Sequence, residues 1–527
     1  MKTVKRIAFI LILGLAVLAI AGCNGEAVDS ENTIVIGIEA EPTSLDPTQI
    51  VDYNSSRAAM EMYDSLIRFK DGSTDLEPGL ATEWDVSEDG LEYTFKLREG
   101  VKFHDETLFD AEAVKFNIDR QIDPDHEYHD TGEFGYADTT FGMVEEVIVL
   151  DENTVKIILD EPFAPFLGNM AMHSASMVSP AAIKEFGKDI SQNPVGTGPF
   201  KFVSWDPGQE VILEKNEACW RGAPQVEKLI FRPIKENQTR LTELEAGSLD
   251  FIVGIPPDDL QRIRDTEELL VLEQPGMHTW YLALNCYRPP FDKKEVRQAA
   301  NYAINKEAIV NDILKGTGIR AVNLLPPLLW GYTDDVRDYS YDPDKARELL
   351  EESGYGEAEL TIDFHVPESG SGMQQPVAMA TAIQSDLEAV GFKIKIQQLE
   401  WGTFLDKTED PPETNEFIMH ELSWMGDNGD PDNFLYTLLC GTQWPPKGFN
   451  GGFYKNDHVD SLLLEARKIT DPARRIELYE EAQQLIVEDS PLIVVDHETQ
   501  IVAMKKKIQG FELHPTGVFR FDKVTIQ

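Results

Sequence analysis

The stretch "VAMATAIQSDLEAVGFKIKI", Val377 to Ile396, changes from one kind of secondary structure to another within a few residues. Its first part has the composition of a helix, Gly391 can end that helix, and Ile394 and Ile396 then stand two residues apart as in a strand. A helix followed directly by a strand is the building unit of folds in which helices cover sheets. The stretch therefore predicts an α/β fold.

Two further helices are marked by their first residues. In "YDPDKARELLEESGYG" Asp342 can cap the helix, Pro343 fits its first turn and Gly354 can end it. The stretch "TDPARRIELYEEAQQLI" repeats the arrangement with Asp471 and Pro472. Both stretches predict helices in the second half of the chain.

Strands are indicated mainly in the first half. The run from Ile34 to Ile38 is β-branched and leads into a proline-rich turn. The stretch "LEYTFKLREGVKFHDE" predicts a hairpin that turns at Glu99 and Gly100, and "EEVIVLDENTVKIIL" predicts another that turns at Asp151 to Asn153.

Composition limits the possible partners. The formal net charge of the 527 residues is −46 at pH 7, which would repel nucleic acid and anionic lipid. The 42% of hydrophobic and 27% of charged residues are typical of a folded globular protein. A chain of this length exceeds what one core usually organises, so two or three lobes are expected.

The N-terminus predicts export and a lipid anchor. Three cations precede a short apolar run from Ile7 to Ile20, which is typical of a secretory signal peptide, here residues 1–22. The residues that end at Cys23 resemble the bacterial lipobox, in which the cysteine carries diacylglycerol. Residues 23–32 would then be a tether, and the lipid the only anchor, because no later stretch is long and apolar enough to cross a bilayer.

The remaining cysteines and the familiar motifs point to no particular chemistry. Cys219, Cys286 and Cys440 lack metal-ligand spacing; they allow one disulfide in any pairing or three thiols. Gly196 and Gly198 precede a proline and a strand, which does not suit a phosphate loop. The nucleophile and zinc motifs of common hydrolases are missing. We therefore expect no catalytic residue, no cofactor and no metal.

The stretch "WMGDNGDPDNF", Trp424 to Phe434, contains three aspartates. Counted from Asp427, a calcium loop would need Gly at the sixth position and Glu at the twelfth, where Asp432 and Leu438 stand. On these residues alone, a turn rich in Asn, Asp, Gly and Pro remains the simpler interpretation.

Several motifs together are similar, in order and along nearly all of the mature chain, to the family 5 extracellular solute-binding proteins of ABC importers. The motifs are "EPTSLDP", "LEYTFKLREGVKFHDE", "NPVGTGPFKFVSW", "AGSLDFIVGIP", "PFDKKEVRQAANYAINKEAI", "YDPDKARELL" and "GDNGDPDNF". Within that family, "WMGDNGDPDNF" most resembles the branch that binds dipeptides.

The resemblance implies a periplasmic-binding-protein-like fold of two lobes joined by a hinge. Lobe I would comprise residues 33–282, with an extra subdomain at about 60–190, and the returning residues 495–527. Lobe II would comprise residues 283–494. Such a protein is expected at the outer face of the cytoplasmic membrane or in the periplasm, as a monomer that delivers a peptide to an ABC permease and its ATPases.

The resemblance also implies where a peptide would lie. The matching positions are Thr43, Ser44, Trp401, Trp424, Met425, Gly426 and Asp427. Asp427 matches the aspartate that receives the α-ammonium of the peptide, while Asp430 and Asp432 would be turn and capping residues. Trp401 matches an aromatic residue that lines the side-chain pocket.

One departure concerns the carboxylate end of the ligand. Dipeptide binders of the family carry an arginine in the stretch that corresponds to residues 369–379, where this chain has Gln374 and Gln375 but no arginine. A longer peptide would explain the difference. So would a nickel chelate, haem, glutathione or an oligosaccharide, and a surface hydrolase remains a distant alternative.

Overall fold

The computed structural model describes residues 32–356, 358–370 and 373–527. The predicted signal peptide of residues 1–22, the predicted lipidation site Cys23 and the predicted tether up to residue 31 lie outside the described residues. None of the helices in the described part of the chain has both the length and the apolar character that a membrane crossing requires.

The described part of the chain contains strands from its beginning to its end. They are β1 Thr33–Ile38, β2 Ile67–Phe69, β3 Leu76–Pro78, β4 Ala81–Val86, β5 Glu92–Leu97, β6 Val144–Asp151, β7 Thr154–Leu159, β8 Phe200–Asp206, β9 Glu210–Lys215, β10 Lys228–Pro233, β11 Phe251–Val253, β12 Leu269–Leu284, β13 Gly318–Arg320, β14 Thr361–Pro367, β15 Lys393–Leu399, β16 Met419–Met425, β17 Leu492–Lys505, β18 Ile508–Gln509 and β19 Thr525–Ile526.

Helices become longer toward the C-terminus. They are α1 Tyr53–Ala59, α2 Ala111–Ile122, α3 Ala137–Phe141, α4 Phe166–Asn169, α5 Pro180–Phe186, α6 Asn237–Ala246, α7 Leu260–Arg264, α8 Lys294–Ala303, α9 Lys306–Ala308, α10 Pro343–Ser353, α11 Pro376–Val390, α12 Trp401–Thr408, α13 Asp432–Leu439, α14 Asp457–Lys468 and α15 Pro472–Asp489.

One large mixed sheet runs through the molecule in the order β15-β14-β16-β12-β17-β11-β1-β10-β9-β8. Its two longest strands, β12 and β17, are antiparallel neighbours along most of their length. From Gly276 to Leu284, β12 is buried on both faces, as expected for a central strand that is covered by helices. A separate sheet, β4-β5-β7-β6, lies within the predicted extra subdomain of residues 60–190.

The long strands connect two large hydrophobic clusters. In β17, Val502 and Met504 belong to the cluster built around β1 and β10, whereas Ile493 and Val495 belong to the cluster built around β14 and α11. The predicted lobe boundaries, 282/283 and 494/495, fall within β12 and β17. These two strands are therefore the segments where a hinge between the lobes would lie.

The helix signals in the sequence are confirmed in detail. The Asp342 side chain accepts a hydrogen bond from the backbone N–H of Lys345, and Gly354 ends α10 with a φ of +70°. Asp471 caps α15 in the same manner. Gly391, with a φ of +119°, separates α11 from β15, so the predicted unit of helix and strand is present.

One of the two predicted hairpins is wrong. The second forms as expected, because β6 and β7 pair on either side of Asp151 to Asn153. In the first, however, β5 pairs with β4 and β7, and the chain beyond Gly100 forms a loop in which Phe103 N–H donates to the carbonyl of Thr107. Phe103 is buried there in the hydrophobic cluster of the β4-β5-β7-β6 sheet, so its alternation with Val101 reflected burial rather than a strand.

Two further features concern packing only. A Cβ on Gly198 would lie 2.4 Å from the backbone carbon of Met62, so this glycine permits close approach of two chain segments and not of a phosphate. Cys219, Cys286 and Cys440 are free thiols, which decides between the two possibilities that the sequence leaves open.

Candidate ligand-binding site

A cavity lies at the end of β16, and Tyr136 and His173 from the first half of the chain also line it. It encloses about 740 Å³ of space not filled by atoms, part of it open to solvent. Its walls carry the aromatic residues Tyr53, Tyr136, Trp401, Trp424 and Phe449, together with polar residues that include Asp52, His173, His278 and Asp427. A concave, mainly aromatic site with a few polar groups is typical of small-ligand sites.

The loop after β16 is held by one asparagine and one glycine. The side-chain oxygen of Asn433 accepts hydrogen bonds from the indole N–H of Trp424 and from the backbone N–H of Asp427, both at 3.1 Å. A Cβ on Gly426 would lie 2.9 Å from the ring of Phe434, so only glycine fits at this position. Side-chain contacts therefore fix the conformation of this turn, which places Asp427 in the cavity wall.

Asp427 is a half-buried carboxylate that has no cationic neighbour among the described residues. The hydroxyl of Tyr136 donates to its Oδ2 at 2.9 Å. No lysine, arginine or histidine within the described ranges forms an ion pair with it. Burial raises the pKa of Asp427 to about 7, although the hydrogen bond from Tyr136 and the polar side chain of Asn433 oppose that rise. A cation brought to this carboxylate would remove the cause of the shift.

The two neighbouring aspartates each have an arginine. Asp430 is held by Arg475 through two parallel hydrogen bonds of 2.8 Å, and its Oδ1 also accepts from the backbone N–H of Asp432. Asp432 lies 3.2 Å from the guanidinium of Arg467, and both side chains are buried. The sequence-based assignment of these aspartates to the turn fits the contacts, but both arginines escaped the sequence analysis.

Trp424 and Met425 form the end of β16 at the cavity. The indole of Trp424 is parallel to the ring of Tyr136, with ring centres 6.2 Å apart, and also contacts Phe449 at 5.2 Å. Met425 pairs with His278 of β12. Together with Asp427, they bring three of the predicted site residues to the cavity wall.

Trp401 begins α12 and lines the same cavity. Its side chain stacks on Phe404 with ring centres 6.1 Å apart, and its buried indole N–H donates to none of the described residues. A buried donor without an acceptor costs free energy, so a polar atom of a ligand would be stabilised there. Leu405 and Leu422 complete an apolar wall beside it.

Thr43 and Ser44 are not among the residues that line the cavity. The hydroxyl of Thr43 donates to Asp52, and its backbone N–H donates to the Ser55 hydroxyl. Asp52 does line the cavity. The Ser44 hydroxyl accepts from the backbone N–H of Asp46 and serves a turn. Thr43 is therefore linked to the cavity through Asp52.

Tyr136 is the functional candidate that the sequence analysis missed. Its ring is buried between His173 and Trp424, and its hydroxyl is the only side-chain donor to Asp427 in the described part of the chain. It lies in the predicted extra subdomain of residues 60–190, nearly 300 residues away from Asp427. No local signal in the sequence marks such a long-range contact.

Comparison with known proteins agrees with the geometry. Residues 75–446 match the protein family described as "Bacterial extracellular solute-binding proteins, family 5 Middle". The chain is 34% identical to the dipeptide-binding protein of Escherichia coli K12 over 94% of this chain and 95% of that protein. It is also 34% identical to heme-binding protein A of Haemophilus influenzae over 94% and 93%, respectively.

A solved structure extends the agreement to three dimensions. The periplasmic binding protein DppA of Helicobacter pylori, in complex with the peptide STSA, superimposes with a TM-score of 0.87 at 33% sequence identity. The superposition covers 94% of this chain and 98% of that one. The mixed α/β fold is therefore that of periplasmic binding proteins. This chain belongs to the bacterial extracellular solute-binding proteins of family 5.

Proposed function

We propose that the protein is the receptor of an ABC importer that captures extracellular peptides through their free α-ammonium group. The observation that carries the proposal is Asp427, a carboxylate on a rigid turn with no cationic neighbour in the described ranges. A charge-assisted hydrogen bond to an ammonium contributes about 1.5 to 3 kcal/mol. The ammonium would also keep Asp427 ionised at neutral pH.

The backbone of Trp424, Met425 and Gly426 would add the peptide in the manner of a strand at a sheet edge. Thr43 and Ser44 remain proposed contacts on the opposite side of the ligand. The aromatic and aliphatic wall beside Trp401 favours an apolar first side chain, because transfer of such a side chain from water is favourable. We expect peptides that begin with Leu, Met or Phe to bind more tightly than those that begin with Asp.

The same proposal includes the two lobes and their motion. Lobe I would be residues 33–282 and 495–527, and lobe II residues 283–494. Contacts such as the hydrogen bond between Asn428 and Asn169, 2.6 Å long, link the second lobe to the extra subdomain. A bound peptide should favour the closed form, so X-ray scattering should give a smaller radius of gyration with ligand. Unchanged scattering with a saturating ligand would contradict the hinge.

Anchoring is part of the proposal as well. Cys23 would carry diacylglycerol and hold a monomeric receptor at the cell envelope, where a permease and its ATPases take over the ligand. Replacement Cys23→Ser should release the protein from the membrane or block its processing. Fractionation of cells that express either form measures this, and identical membrane retention would exclude the lipid anchor.

Binding and the rival hydrolase function can be tested in one experiment. The purified protein is incubated with a mixture of peptides, and mass spectrometry identifies the retained and the cleaved species. The proposal predicts retained, intact peptides with a free N-terminus, and their loss in Asp427→Asn. Retention of haem or another ligand without an ammonium, or cleavage of the peptides, would contradict it.

A further inference from the structure

A second cavity adjoins the first. It contains about 640 Å³ of unfilled space, and it shares Tyr53, His278 and Met425 with the cavity that holds Asp427. Arg57 of α1 lies in its wall. A ligand that extends past the three shared residues would therefore place one end at Asp427 and the other near Arg57.

The guanidinium of Arg57 is held between aromatic rings, but two of its nitrogen atoms have no hydrogen-bond acceptor among the described residues. Its guanidinium lies over the rings of Tyr53 and Phe519, at 4.8 and 5.0 Å from their centres. Its Nη1 is 3.5 Å from a carboxylate oxygen of Glu39, a distance that gives an ion pair but no hydrogen bond. Its Nε and Nη1 are buried and donate to none of the described residues. An oxygen ligand in the cavity could accept from them.

The carboxyl groups near Arg57 compensate its charge only weakly. The ion pair between Arg57 and Glu39 is 3.5 Å long. Glu39 also acts electrostatically on Arg240, which has Glu236 as a second acidic neighbour. The other carboxyl group of the cavity, that of Glu498, forms a hydrogen bond of 3.1 Å with Nδ1 of His278. Burial raises the pKa of Glu498 well above the usual value, which favours the neutral form of this carboxyl group.

The neighbouring arginines differ from Arg57 because their charges are already paired. Arg221, in a third cavity beside Asp427, bridges Asp64 and Asp522 at 3.0 Å each. Arg520 in the same cavity pairs with Asp71 at 3.0 Å. An anionic group would therefore gain more from Arg57 than from these two.

We propose that Arg57 receives the carboxylate of the bound ligand and takes the place of the arginine that residues 369–379 lack. This rests on the proposed peptide function, since it assigns the second end of the same ligand. Asp427 and Arg57 would then recognise the two opposite charges of a zwitterionic peptide. A guanidinium suits this role because its N–H groups match the two oxygens of a carboxylate.

The test uses calorimetry with matched peptides of two to five residues that carry either a free C-terminus or a C-terminal amide. For the length that binds best, amidation should weaken binding to the wild type by about 10- to 100-fold. In Arg57→Gln the two forms should bind with similar affinity. Arg57→Lys keeps the charge and should retain part of the difference, whereas Arg474→Gln, on the exposed face of α15, should behave as wild type.

Each outcome decides between the two proposals. If amidation weakens binding equally in the wild type and in Arg57→Gln, the carboxylate lies elsewhere and only the role of Arg57 is overturned. If amidation has no effect on the wild type, the role of Arg57 is overturned even when Arg57→Gln fails to fold. If the wild type binds peptides neither with a free C-terminus nor with a C-terminal amide, the peptide function itself fails. It also fails if Asp427→Asn binds the peptides as well as the wild type does.

Discussion

The turn after β16 carries three aspartates within six residues, and their surroundings differ in one respect. Asp430 and Asp432 each face an arginine from the helices that follow, Arg475 and Arg467. Asp427 faces the hydroxyl of Tyr136 and no cation among the described residues. Identical side chains in one turn can therefore serve stability in two cases and leave a charge available for a ligand in the third.

The difference has an energetic meaning. A buried carboxylate that is paired with an arginine forms part of the folded structure, and removal of either partner leaves an unpaired charge. A buried carboxylate without a partner lowers stability instead, and such a cost is typical of functional sites. We therefore expect substitutions in this turn to separate stability from binding.

A large effect on stability is expected at Asp430, which is held by a bidentate pair of hydrogen bonds. Replacement Asp430→Ala leaves Arg475 without its bidentate partner. The Arg475 side chain is only 7% exposed, so its charge would remain buried and unpaired. The free energy of unfolding should fall by about 3 to 5 kcal/mol. Urea denaturation monitored by circular dichroism measures this, with Asp344→Ala on the exposed face of α10 as a control that should change little. Equal stability of the two variants would refute the structural role of Asp430.

Asp427→Ala should have the largest effect on binding. The affinity for a peptide with a free N-terminus should fall by about 2 to 5 kcal/mol, because the ammonium would be buried without a partner. Asp432 lies five residues from Asp427 and faces Arg467. Its replacement, Asp432→Ala, should therefore lower the affinity for the peptide much less. Calorimetry on the folded variants checks both values, and comparable losses would remove the distinction between the aspartates.

A smaller effect concerns the ligand-free protein and pH. Burial raises the pKa of Asp427 to about 7, above the value of about 4 in an unfolded chain. Its contribution to stability is therefore fully present below about pH 4 and is lost as the pH rises to about 7. Asp427→Asn should remove this loss and raise the Tm at pH 8 by about 1 to 3 °C. Melting curves at pH 5 and pH 8 test this, and a lower Tm of the variant at pH 8 would contradict the uncompensated charge.

Local signals in the sequence were sufficient for much of the fold. Asp342, Gly354 and Gly391 act within a few residues of their own positions, so their roles as caps and stops could be predicted. The hairpin at Gly100 was wrong because alternating burial at Val101 and Phe103 also arises in a loop that packs on a core. The partner of a strand depends on distant segments.

The site divides in the same manner. Trp424, Met425 and Asp427 were predicted from a resemblance in one short stretch, and the structure brings them to one cavity. Tyr136 and Arg475 could not be predicted, because each acts on an aspartate that is far away in the sequence. The fold, and not the sequence motif, thus determines which aspartate of the turn has no arginine partner among the described residues.

The most direct test of the central claim is calorimetry on four combinations of the wild type or Asp427→Ala with a free or an N-acetylated peptide. The acetyl group and the substitution remove the same interaction, so the two effects should not add. We predict that acetylation strongly weakens binding to the wild type and matters little for Asp427→Ala. Equal affinity of the wild type for free and acetylated peptides would contradict the claim that Asp427 binds the α-ammonium.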